Sequence, residues 1–520
     1  MLTPQQVAGR VDPGRLPAHP ILLASLPALF LFAENAVQQV TFDPLWTPLG
    51  ISLGIGLVVL GVSWLLLRDL ARGALLASLW LILFFGFGHA WNLVAGMLPG
   101  RAVLAGIFAG IGLLGTLAIW RGGRWVRPAG QFANIALALL VAFNLVRLGT
   151  FAVGAAAAGE PGTPPLIDVT EPGDPPDIYY IILDRYANSA TLEAVFDHDN
   201  RSFLAELQAR GFSVADDSWA NYFKTAHSLA SSLNMDYLDG DALRDGEPAT
   251  FGPIFSTLRG HLPVPQTLTS LGYEYVHLGN YWEPTATNVD ADRVLRYEEG
   301  SEFSAALWST TAWSLLFPPA LPDDDPETIQ LDQDARGHAL FAFEALEDAA
   351  GRPGPTYVFA HILVPHPPYV FDTDGSMPTP EEREERTSNE EYVRQLEWTN
   401  RRVLAAIDRL QDVPAGDEPV IMLQADEGPF PPAFAANEKR FDWLEATDGE
   451  IAQKFGILNA LALPGVDADE LGVHDRLSPV NAFRIVFNAY FGAELPLLPD
   501  RVFLSPDYDH MYDFTEYRRR

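Results

Sequence analysis

Long apolar runs fill the first third of the chain. Four of them are clear, and each is near or above the roughly 20 residues that a membrane-spanning helix needs. They cover residues 47–67, 73–98, 102–120 and 131–158. A fifth and weaker run begins at Pro20, where the uninterrupted apolar part, ILLASLPALFLF, is short. Counted with the others, it predicts an all-α transmembrane bundle of about five helices over residues 1–158.

Arginine residues are unevenly distributed between the two ends of these runs. If all five runs cross the membrane, seven arginines fall on one side: Arg10, Arg15, Arg68, Arg72, Arg121, Arg124 and Arg127. Only Arg101 and Arg147 fall on the other side. The arginine-rich side of a membrane protein faces the cytoplasm. We therefore expect a multi-pass cell-membrane protein whose large C-terminal domain is extracytoplasmic.

The hydrophobic pattern changes after residues 159–176, a segment rich in Pro, Gly and acids that we interpret as an extended linker. From residue 177 to residue 520, short apolar segments alternate with segments of helical periodicity. The predicted strands are DIYYIILD, YEYVHL, TYVFAHIL, PVIMLQAD and GILNALAL, and the predicted helices cover residues 201–211, 225–234, 335–350, 389–411 and 479–491. This alternation predicts an α/β domain with a mainly parallel sheet.

Charge separates the two regions. Residues 1–158 contain 9 Arg, no Lys and 4 acidic residues, a formal charge of +5, and the remaining residues carry −38, which together make the −33 of the whole chain. An acidic domain is not expected to bind nucleic acid, because phosphate backbones need a basic face. The chain has no Cys, so disulfides and thiolate metal sites are excluded.

Acidic residues follow two of the predicted strands. Asp184 ends DIYYIILD, and Asp426 and Glu427 follow PVIMLQA before a Gly-Pro turn. Sites in parallel sheets form beyond the carboxyl ends of strands, so the three carboxylates are candidate ligands of one metal ion. The alternatives are a helix cap at Asp184 and a turn with solvated acids at residues 426–427.

Thr225 stands at the predicted start of a helix in NYFKTAHSLASSLNMDYL. A helix N-terminus favours an anion, and a hydroxyl activated by a divalent metal is a nucleophile suited to phosphate or sulfate esters. We therefore take Thr225 as a candidate nucleophile and metal ligand. An ordinary N-cap is the alternative, and His227, Ser228 and Ser231 are nearby alternatives for the nucleophile.

Two histidines lie in HILVPHPPYVF, where the third of these strands ends. His366, in a His-Pro-Pro turn, is a candidate for contact with a substrate phosphate or for general acid catalysis. His361 is a candidate for substrate binding, and a structural role for it is equally open.

Five segments, in this order, resemble a known group of enzymes: PDIYYIILDRYA, NYFKTAHSLASSLNMDYL, HILVPHPPYVF, LQADEGP and KFGILNALALPG. They are similar to the membrane-anchored, sulfatase-like branch of the alkaline phosphatase superfamily, which includes lipoteichoic acid synthases and phosphoethanolamine transferases. The resemblance covers about residues 177–515, and the apolar helices before them also match. It implies an α/β alkaline-phosphatase-like domain and an esterase site with one or two metals.

The resemblance also implies roles for individual residues. Asp184 would be the first acidic ligand and Thr225 the nucleophile. Asp426 and Glu427 would stand for an Asp-His pair, and His366 would face the substrate. The chain departs from the family at Glu427, where His is usual, and this change marks either a different metal or a domain that has lost catalysis. Four oxygen ligands favour one divalent cation of the Mn²⁺, Mg²⁺ or Ca²⁺ type over Zn²⁺.

The function predicted from these residues is a metal-dependent transferase or hydrolase of phosphoester head groups, acting through Thr225 on membrane lipids or envelope polymers. Sulfate esters are less favoured, because the chain has neither Cys nor a Ser-x-Pro-x-Arg motif. Two alternatives belong to other classes. One is a non-catalytic relative that binds an envelope polymer or a partner. The other is transport by the helical bundle, for which Glu34 and His89 are the polar residues available.

Overall fold

The computed structural model of the chain describes residues 17–35, 42–94, 97–158, 166–170, 173, 175–244, 246, 249–297, 302–315, 326–437 and 440–519. The chain forms two compact units. One contains residues 1–157 and 300–329, and the other contains residues 158–299 and 330–520. Arg10, Arg15 and most of the predicted linker lie outside the described residues. The predicted domain boundaries therefore stay predictions.

The α-helices of the described residues are α1 His19–Glu34, α2 Asp43–Leu67, α3 Leu70–Phe85, α4 Phe87–Val94, α5 Arg101–Trp120, α6 Val126–Ala158, α7 Ser189–Phe196, α8 Arg201–Ala209, α9 Thr225–Asn234, α10 Gly240–Leu243, α11 Gly252–Leu258, α12 Pro263–Ser270, α13 Glu283–Ala286, α14 Glu302–Ser309, α15 Pro326–Asp348, α16 Pro380–Glu385, α17 Ser388–Leu410, α18 Pro432–Ala436, α19 Asp448–Phe455 and α20 Ala482–Tyr490. Short 3₁₀ helices cover Ala312–Leu315 and Pro479–Asn481.

Three helices of the described residues are long and apolar enough to cross a membrane: Pro44–Leu67, Arg101–Trp120 and Val126–Thr150. The predicted third run is interrupted, because α3 and α4 meet at Gly86 with a bend of 47°. If that pair forms one span, the number is four. The weak first run becomes α1, which has only 16 residues and is shorter than the roughly 20 that a bilayer needs. Five spanning helices are therefore not confirmed.

Residues 302–315 pack with these N-terminal helices. Phe303 of α14 meets the ring of Phe32 edge-on, with 5.6 Å between the centroids. The backbone N–H of Gly88 donates to the Thr310 carbonyl at 2.8 Å. A Cβ on Gly88 would lie 2.6 Å from the Thr310 Cα, so this approach requires glycine. A segment that follows the start of the α/β domain in sequence thus belongs to the helical unit in space.

The second unit is built on a mixed seven-stranded sheet in the order β2-β7-β6-β1-β5-β3-β4. Its strands are β1 Ile178–Leu183, β2 Phe212–Val214, β3 Glu274–Gly279, β4 Arg293–Arg296, β5 Thr356–Ile362, β6 Val420–Gln424 and β7 Asn459–Ala462. The strands from β6 to β4 are parallel to one another, and β7 runs antiparallel to both β6 and β2. A separate hairpin pairs β8 Val502–Leu504 with β9 Thr515–Tyr517. The mainly parallel α/β fold is confirmed.

The three central strands position the site. β1 is buried on both faces, as expected for a strand covered by helices on each side of a parallel sheet. It lies between β5 and β6. Ile182 of β1 is in register with His361 on one side and with Gln424 on the other. The residues that follow these strands therefore meet at one edge of the sheet.

Candidate metal and catalytic site

Asp184, His361 and Asp426 come together at the carboxyl edge of β1, β5 and β6. One ligand atom from each lies within 4.8 Å of the other two. Their side chains are buried, with exposed fractions of 5% for Asp184, 1% for His361 and 2% for Asp426. The His361 Nε2 lies 3.7 Å from the Asp184 Oδ2. Two carboxylates and an imidazole at this spacing could hold one divalent metal ion.

Several buried atoms of this group have no hydrogen-bond partner within the described part of the chain. They are the Asp184 Oδ1, the His361 Nε2 and the Asp426 Oδ2, and the Oε2 of the neighbouring Glu427 is a fourth. A buried polar atom without a partner is costly and rare in folded proteins. Carboxylate oxygens and an unprotonated ring nitrogen can each give a lone pair to a cation. The donor set therefore fits a divalent metal ion.

Burial and like charge act on the two aspartates together. Burial, followed by the charge of Asp426, raises the pKa of Asp184 well above its usual range. Burial, followed by the charge of Glu427, raises the pKa of Asp426 to about 7. Carboxylates crowded in a dry pocket repel one another when ionised. A bound divalent cation would remove that repulsion and keep both of them charged.

Thr225 is the first residue of α9 and faces the same cluster. The position before it, Lys224, has extended backbone angles and no capping side-chain hydrogen bond. The Thr225 side chain interacts with the Asp426 carboxylate and lowers its pKa against the effect of burial. Two of the alternative nucleophiles donate to backbone carbonyls instead: the Ser228 hydroxyl to Tyr222 and the Ser231 hydroxyl to Asp236.

The third alternative nucleophile, His227, lies among apolar and aromatic side chains. It is fully buried and its ring is surrounded by aromatic side chains, Tyr222, Phe223, Tyr512 and Phe514 among them. Burial lowers the pKa of His227 to about 3, so the ring is neutral. Its place is that of a core side chain.

Glu427 is held by two cations. Its Oε1 lies 2.7 Å from the Lys454 Nζ and 3.2 Å from the Arg185 Nε. Burial opposes ionisation of Glu427, but the charges of Lys454 and Arg185 outweigh it and keep the pKa of Glu427 below its usual range. Burial lowers the pKa of Lys454 to about 7. The Glu427 Oε2 has no hydrogen-bond partner among the described residues, and Glu427 as a metal ligand stays a prediction.

Sequence reasoning did not single out the cations of this site. Three of them surround the ring of Phe430: the Arg185 Cζ lies 4.3 Å from its centroid, the Lys224 Nζ 4.8 Å and the Lys454 Nζ 3.3 Å. Arg185 directly follows Asp184, and its φ of +62° turns the chain sharply there. Lys454 lies in the last turn of the polar helix α19, and although it begins the segment KFGILNALALPG, no local signal there shows that the lysine is buried.

His366 lies beside Asp184. Its backbone N–H donates to the Asp184 carbonyl at 3.1 Å. Its ring Nδ1 contacts the Pro367 carbonyl oxygen, which can only accept, so Nδ1 carries the proton and Nε2 has the free lone pair. Burial and the charge of Arg185 lower the pKa of His366 well below its usual range. A neutral His366 can accept a hydrogen bond at Nε2, and its lowered pKa makes it unsuited to hold a proton.

Solved structures similar to this chain include a phosphoethanolamine transferase and a protein of the alkaline phosphatase superfamily. The C-terminal periplasmic domain of EptC from Escherichia coli, in complex with Zn, has 12% identity and a TM-score of 0.41, over 67% of this chain and 97% of that one. The integral membrane lipooligosaccharide phosphoethanolamine transferase A from Neisseria meningitidis has 13% identity and a TM-score of 0.39, over 91% and 95%. A protein of the alkaline phosphatase superfamily from Vibrio parahaemolyticus has 12% identity and a TM-score of 0.41, over 68% of this chain and 80% of that one.

No protein-family model matches the chain, and no curated protein sequence matches it. At the identities and TM-scores of the similar structures, the likeness does not assign a function. A function for this chain is therefore argued from the residues of its own site.

Proposed function

We propose that the protein is a membrane-anchored, metal-dependent enzyme that transfers or hydrolyses phosphoester head groups, with Thr225 as its nucleophile. The observation that carries this proposal is the buried group of Asp184, His361 and Asp426, whose ligand atoms lie within 4.8 Å of one another. Thr225 is the first residue of α9, and its side chain interacts with the Asp426 carboxylate of that group. A hydroxyl at a helix start beside such a group is the arrangement expected for nucleophilic attack on a phosphorus atom.

The oxygen atoms of the site suit one divalent cation. Asp184, Asp426 and Thr225 would hold it, and Glu427 would add its buried Oε2, which has no hydrogen-bond partner among the described residues. For these oxygens alone, Mn²⁺, Mg²⁺ and Ca²⁺ are the preferred ions. When bound, such an ion lowers the pKa of a neighbouring hydroxyl and screens the charge of the phosphoryl oxygens.

The reaction divides into two displacements. In the first, the Thr225 Oγ1 forms a bond to phosphorus and the bond to the departing alcohol oxygen breaks. The Thr225 proton passes through solvent to the departing alcohol oxygen, and Asp426 stays ionised. In the second, an acceptor hydroxyl or a water molecule attacks the phosphorus, the bond to Thr225 breaks, and the acceptor proton returns to the Thr225 oxygen. His366 would accept a hydrogen bond at its free Nε2 lone pair from the acceptor hydroxyl or water as it attacks.

The cations around Phe430 support an anionic substrate. Lys454 and Arg185 share the carboxylate of Glu427, and Lys224 adds a third positive charge beside the same ring. Fixed positive charge next to the reacting group stabilises the charge that develops on phosphoryl oxygens. Lys224 also precedes Thr225 at the N-terminus of α9, where backbone N–H groups favour an anion.

The substrate class follows from the anchor. Helices long enough to cross a membrane precede the α/β unit, and the predicted topology puts that unit outside the cytoplasm. Its substrate is accordingly a lipid-borne or polymer-borne phosphoester of the cell envelope. The transport alternative has weaker support, because Glu34 pairs with Arg147 and His89 is exposed.

The test is a search for the covalent intermediate. Purified full-length protein is incubated with cell-envelope lipids, quenched in acid and analysed by mass spectrometry. We expect a phosphoryl adduct on Thr225, a smaller amount on serine in Thr225→Ser, and none in Thr225→Ala. Turnover of a phosphoester by folded Thr225→Ala at the rate of the parent would show that the proposed mechanism is wrong.

The second candidate function is a non-catalytic binding domain. One observation favours it: a Glu427 oxygen is engaged by Lys454 and Arg185, where the resembling family has a histidine. Metal content separates the two candidates, because the enzyme needs a stoichiometric divalent ion and the binding domain does not.

A further inference from the structure

The two ring nitrogens of His361 have different surroundings. The Nδ1 lies 3.0 Å from the Thr285 Oγ1 and 3.3 Å from the Asn280 Nδ2. The Nε2 faces the carboxylate cluster, has no hydrogen-bond partner among the described residues, and lies 3.7 Å from the Asp184 Oδ2. All of these side chains are buried, with exposed fractions of 4% for Asn280 and 2% for Thr285.

The orientation of Asn280 is determined by two backbone groups. Its Oδ1 accepts a hydrogen bond from the Trp282 N–H at 2.9 Å, and its Nδ2 donates to the His361 carbonyl at 2.8 Å. Exchanging the amide oxygen and nitrogen would oppose donor to donor at Trp282 and acceptor to acceptor at His361. The amide of Asn280 therefore has one orientation.

This orientation decides the protonation of His361. The Thr285 hydroxyl donates to the Asn280 Oδ1 at 3.2 Å, and its oxygen accepts from the Asn280 Nδ2 at 3.0 Å. The second lone pair of that oxygen can accept the proton of the His361 Nδ1. With the proton on Nδ1, the two Nδ2 protons of Asn280 go to the His361 carbonyl and to Thr285, so every donor of the group has an acceptor. With the proton on Nε2, that donor would face the Asp184 Oδ2 at 3.7 Å, which is beyond hydrogen-bonding distance. The Nδ1–H tautomer is the one that the group satisfies, and it leaves a lone pair on Nε2.

We propose that His361 is a nitrogen ligand of the metal through Nε2, and that Thr285 and Asn280 are positioning residues that hold its ring in the tautomer required for ligation. The inference rests on the proposed function only in that the site binds a divalent ion. Outer-shell partners that accept the second N–H of a ligating histidine fix the ring orientation and strengthen the ligand, and their loss costs 10- to 100-fold in metal affinity.

The consequence for the metal is a mixed donor set. The resembling family has a histidine ligand where this chain has Glu427. In this chain His361, on strand β5, would supply the nitrogen ligand instead. Imidazole suits Zn²⁺, whereas Mn²⁺, Mg²⁺ and Ca²⁺ favour oxygen ligands. The protein is thus expected to bind Zn²⁺ in preference to the other three ions, which differs from the expectation for an all-oxygen site.

The first experiment needs no variant. Full-length protein in detergent is stripped with a chelator, reloaded with Zn²⁺, and studied by X-ray absorption at the zinc edge. We expect an imidazole signature in the metal shell, and its weakening in His361→Gln. A shell of oxygen atoms alone in the wild-type protein would overturn the inference while leaving the proposed enzyme intact. A wild-type protein that binds no divalent ion would instead overturn the proposed function.

The second experiment tests the positioning residues. Zn²⁺ and Mn²⁺ affinities are measured by calorimetric titration of the stripped protein. Thr285→Val keeps the side-chain shape and removes the acceptor for Nδ1, so we expect 10- to 100-fold weaker binding, with rescue by Thr285→Ser. The matched control is Thr399→Val, because Thr399 is also fully buried but donates to the Gln395 carbonyl at 2.8 Å. Unchanged affinity in folded Thr285→Val, or an equal loss in Thr399→Val, would contradict the positioning role.

Discussion

The Lys454 Nζ lies 2.7 Å from the Glu427 Oε1, and the exposed fractions of the two side chains are 0% and 2%. Lys454 comes from the end of α19, and Glu427 follows β6. The ammonium also donates to the Gly428 carbonyl at 3.1 Å. A buried pair of this kind adds little net stability compared with an apolar pair, but breaking it leaves one charge unpaired in a dry interior. The pair therefore explains how an acidic residue at position 427 is tolerated.

Lys454→Met tests this pair. We expect the substitution to lower the stability of the α/β unit by about 3–5 kcal/mol, because Glu427 would lose its nearest cation. Thermal unfolding of the full-length protein in detergent measures the effect. Adding Glu427→Gln to Lys454→Met removes the carboxylate that Arg185 alone would then have to neutralise, and should recover part of the loss. A melting temperature of Lys454→Met equal to that of the wild type would show that the pair is not needed.

Thr225→Ala is expected to abolish turnover without destabilising the fold. Thr225 is the first helical residue and Lys224 occupies the N-cap position, so the roughly 1 kcal/mol that a lost N-cap side chain costs does not apply. Thermal unfolding should therefore match the wild type, while phosphoester turnover falls by several orders of magnitude. Thr225→Ser keeps the hydroxyl and should retain part of the activity. A Thr225→Ala protein with a strongly lowered melting temperature would point to a structural role instead.

Asp426→Asn distinguishes the contribution of Asp426 to metal binding from its contribution to folding stability. Burial and the charge of Glu427 raise the pKa of Asp426 to about 7, so a neutral amide relieves repulsion when no metal is bound. The stripped variant should be at least as stable as the stripped wild type. Addition of Mn²⁺ at about 100 times its dissociation constant should stabilise the wild type by about 2.7 kcal/mol and leave the variant unchanged. Equal stabilisation of both proteins would exclude Asp426 as a ligand.

The α/β unit is expected outside the cytoplasm. The physical reason is the excess of arginine on one side of the predicted spans. An alkaline phosphatase fused after Arg520 should be active, and a green fluorescent protein at the same position should be dark. Because three or four spanning helices are found among the described residues, this experiment also decides whether the number of crossings is odd. The opposite reporter pattern would contradict both the topology and the span assigned to the run at Pro20.

Acid should weaken the α/β unit partly through His277. Burial lowers the pKa of this histidine to about 4, from an unfolded value near 6.5. Between pH 4 and pH 6.5 the unfolded chain therefore binds more protons than the folded protein. The stabilisation that the neutral ring contributes is present above pH 6.5 and is lost as the pH falls towards 4. The slope is at most about 1.4 kcal/mol per pH unit. His277→Gln should show a shallower fall in melting temperature from pH 7 to pH 5, and an unchanged slope would exclude His277 as a contributor.

Most of the α/β elements could be predicted from local pattern. The strand in DIYYIILD is found as Ile178–Leu183, and the helix predicted at 225–234 is found as Thr225–Asn234. The antiparallel course of β7 was not predicted, because a fully buried strand of four residues has the same apolar pattern in either direction. The docking of residues 302–315 on the N-terminal helices was also missed, since it depends on contacts between distant segments, such as Gly88 with Thr310.

Parts of the candidate site could also be predicted from sequence. Polar residues at strand ends are visible as breaks in apolar runs, and this pattern predicts Asp184 and Asp426 as site residues. His361 was selected for substrate contact, and the structure places it with the two aspartates because β1 lies between β5 and β6. Lys454 and Arg185 could not be selected, because a charged residue has no local signal that shows whether it is buried.

The sequence by itself determined the division into an apolar helical region and an acidic α/β region, the alternation of strands and helices, and the residue types at the strand ends. These properties depend on spacing along the chain and on the chemistry of neighbouring residues. Only the tertiary structure decided which side chains meet. The order of the strands sets the distance between Asp184, His361 and Asp426, and the packing of α19 brings Lys454 to Glu427. Such distances arise between residues far apart in the chain, where burial and opposing charge act through space.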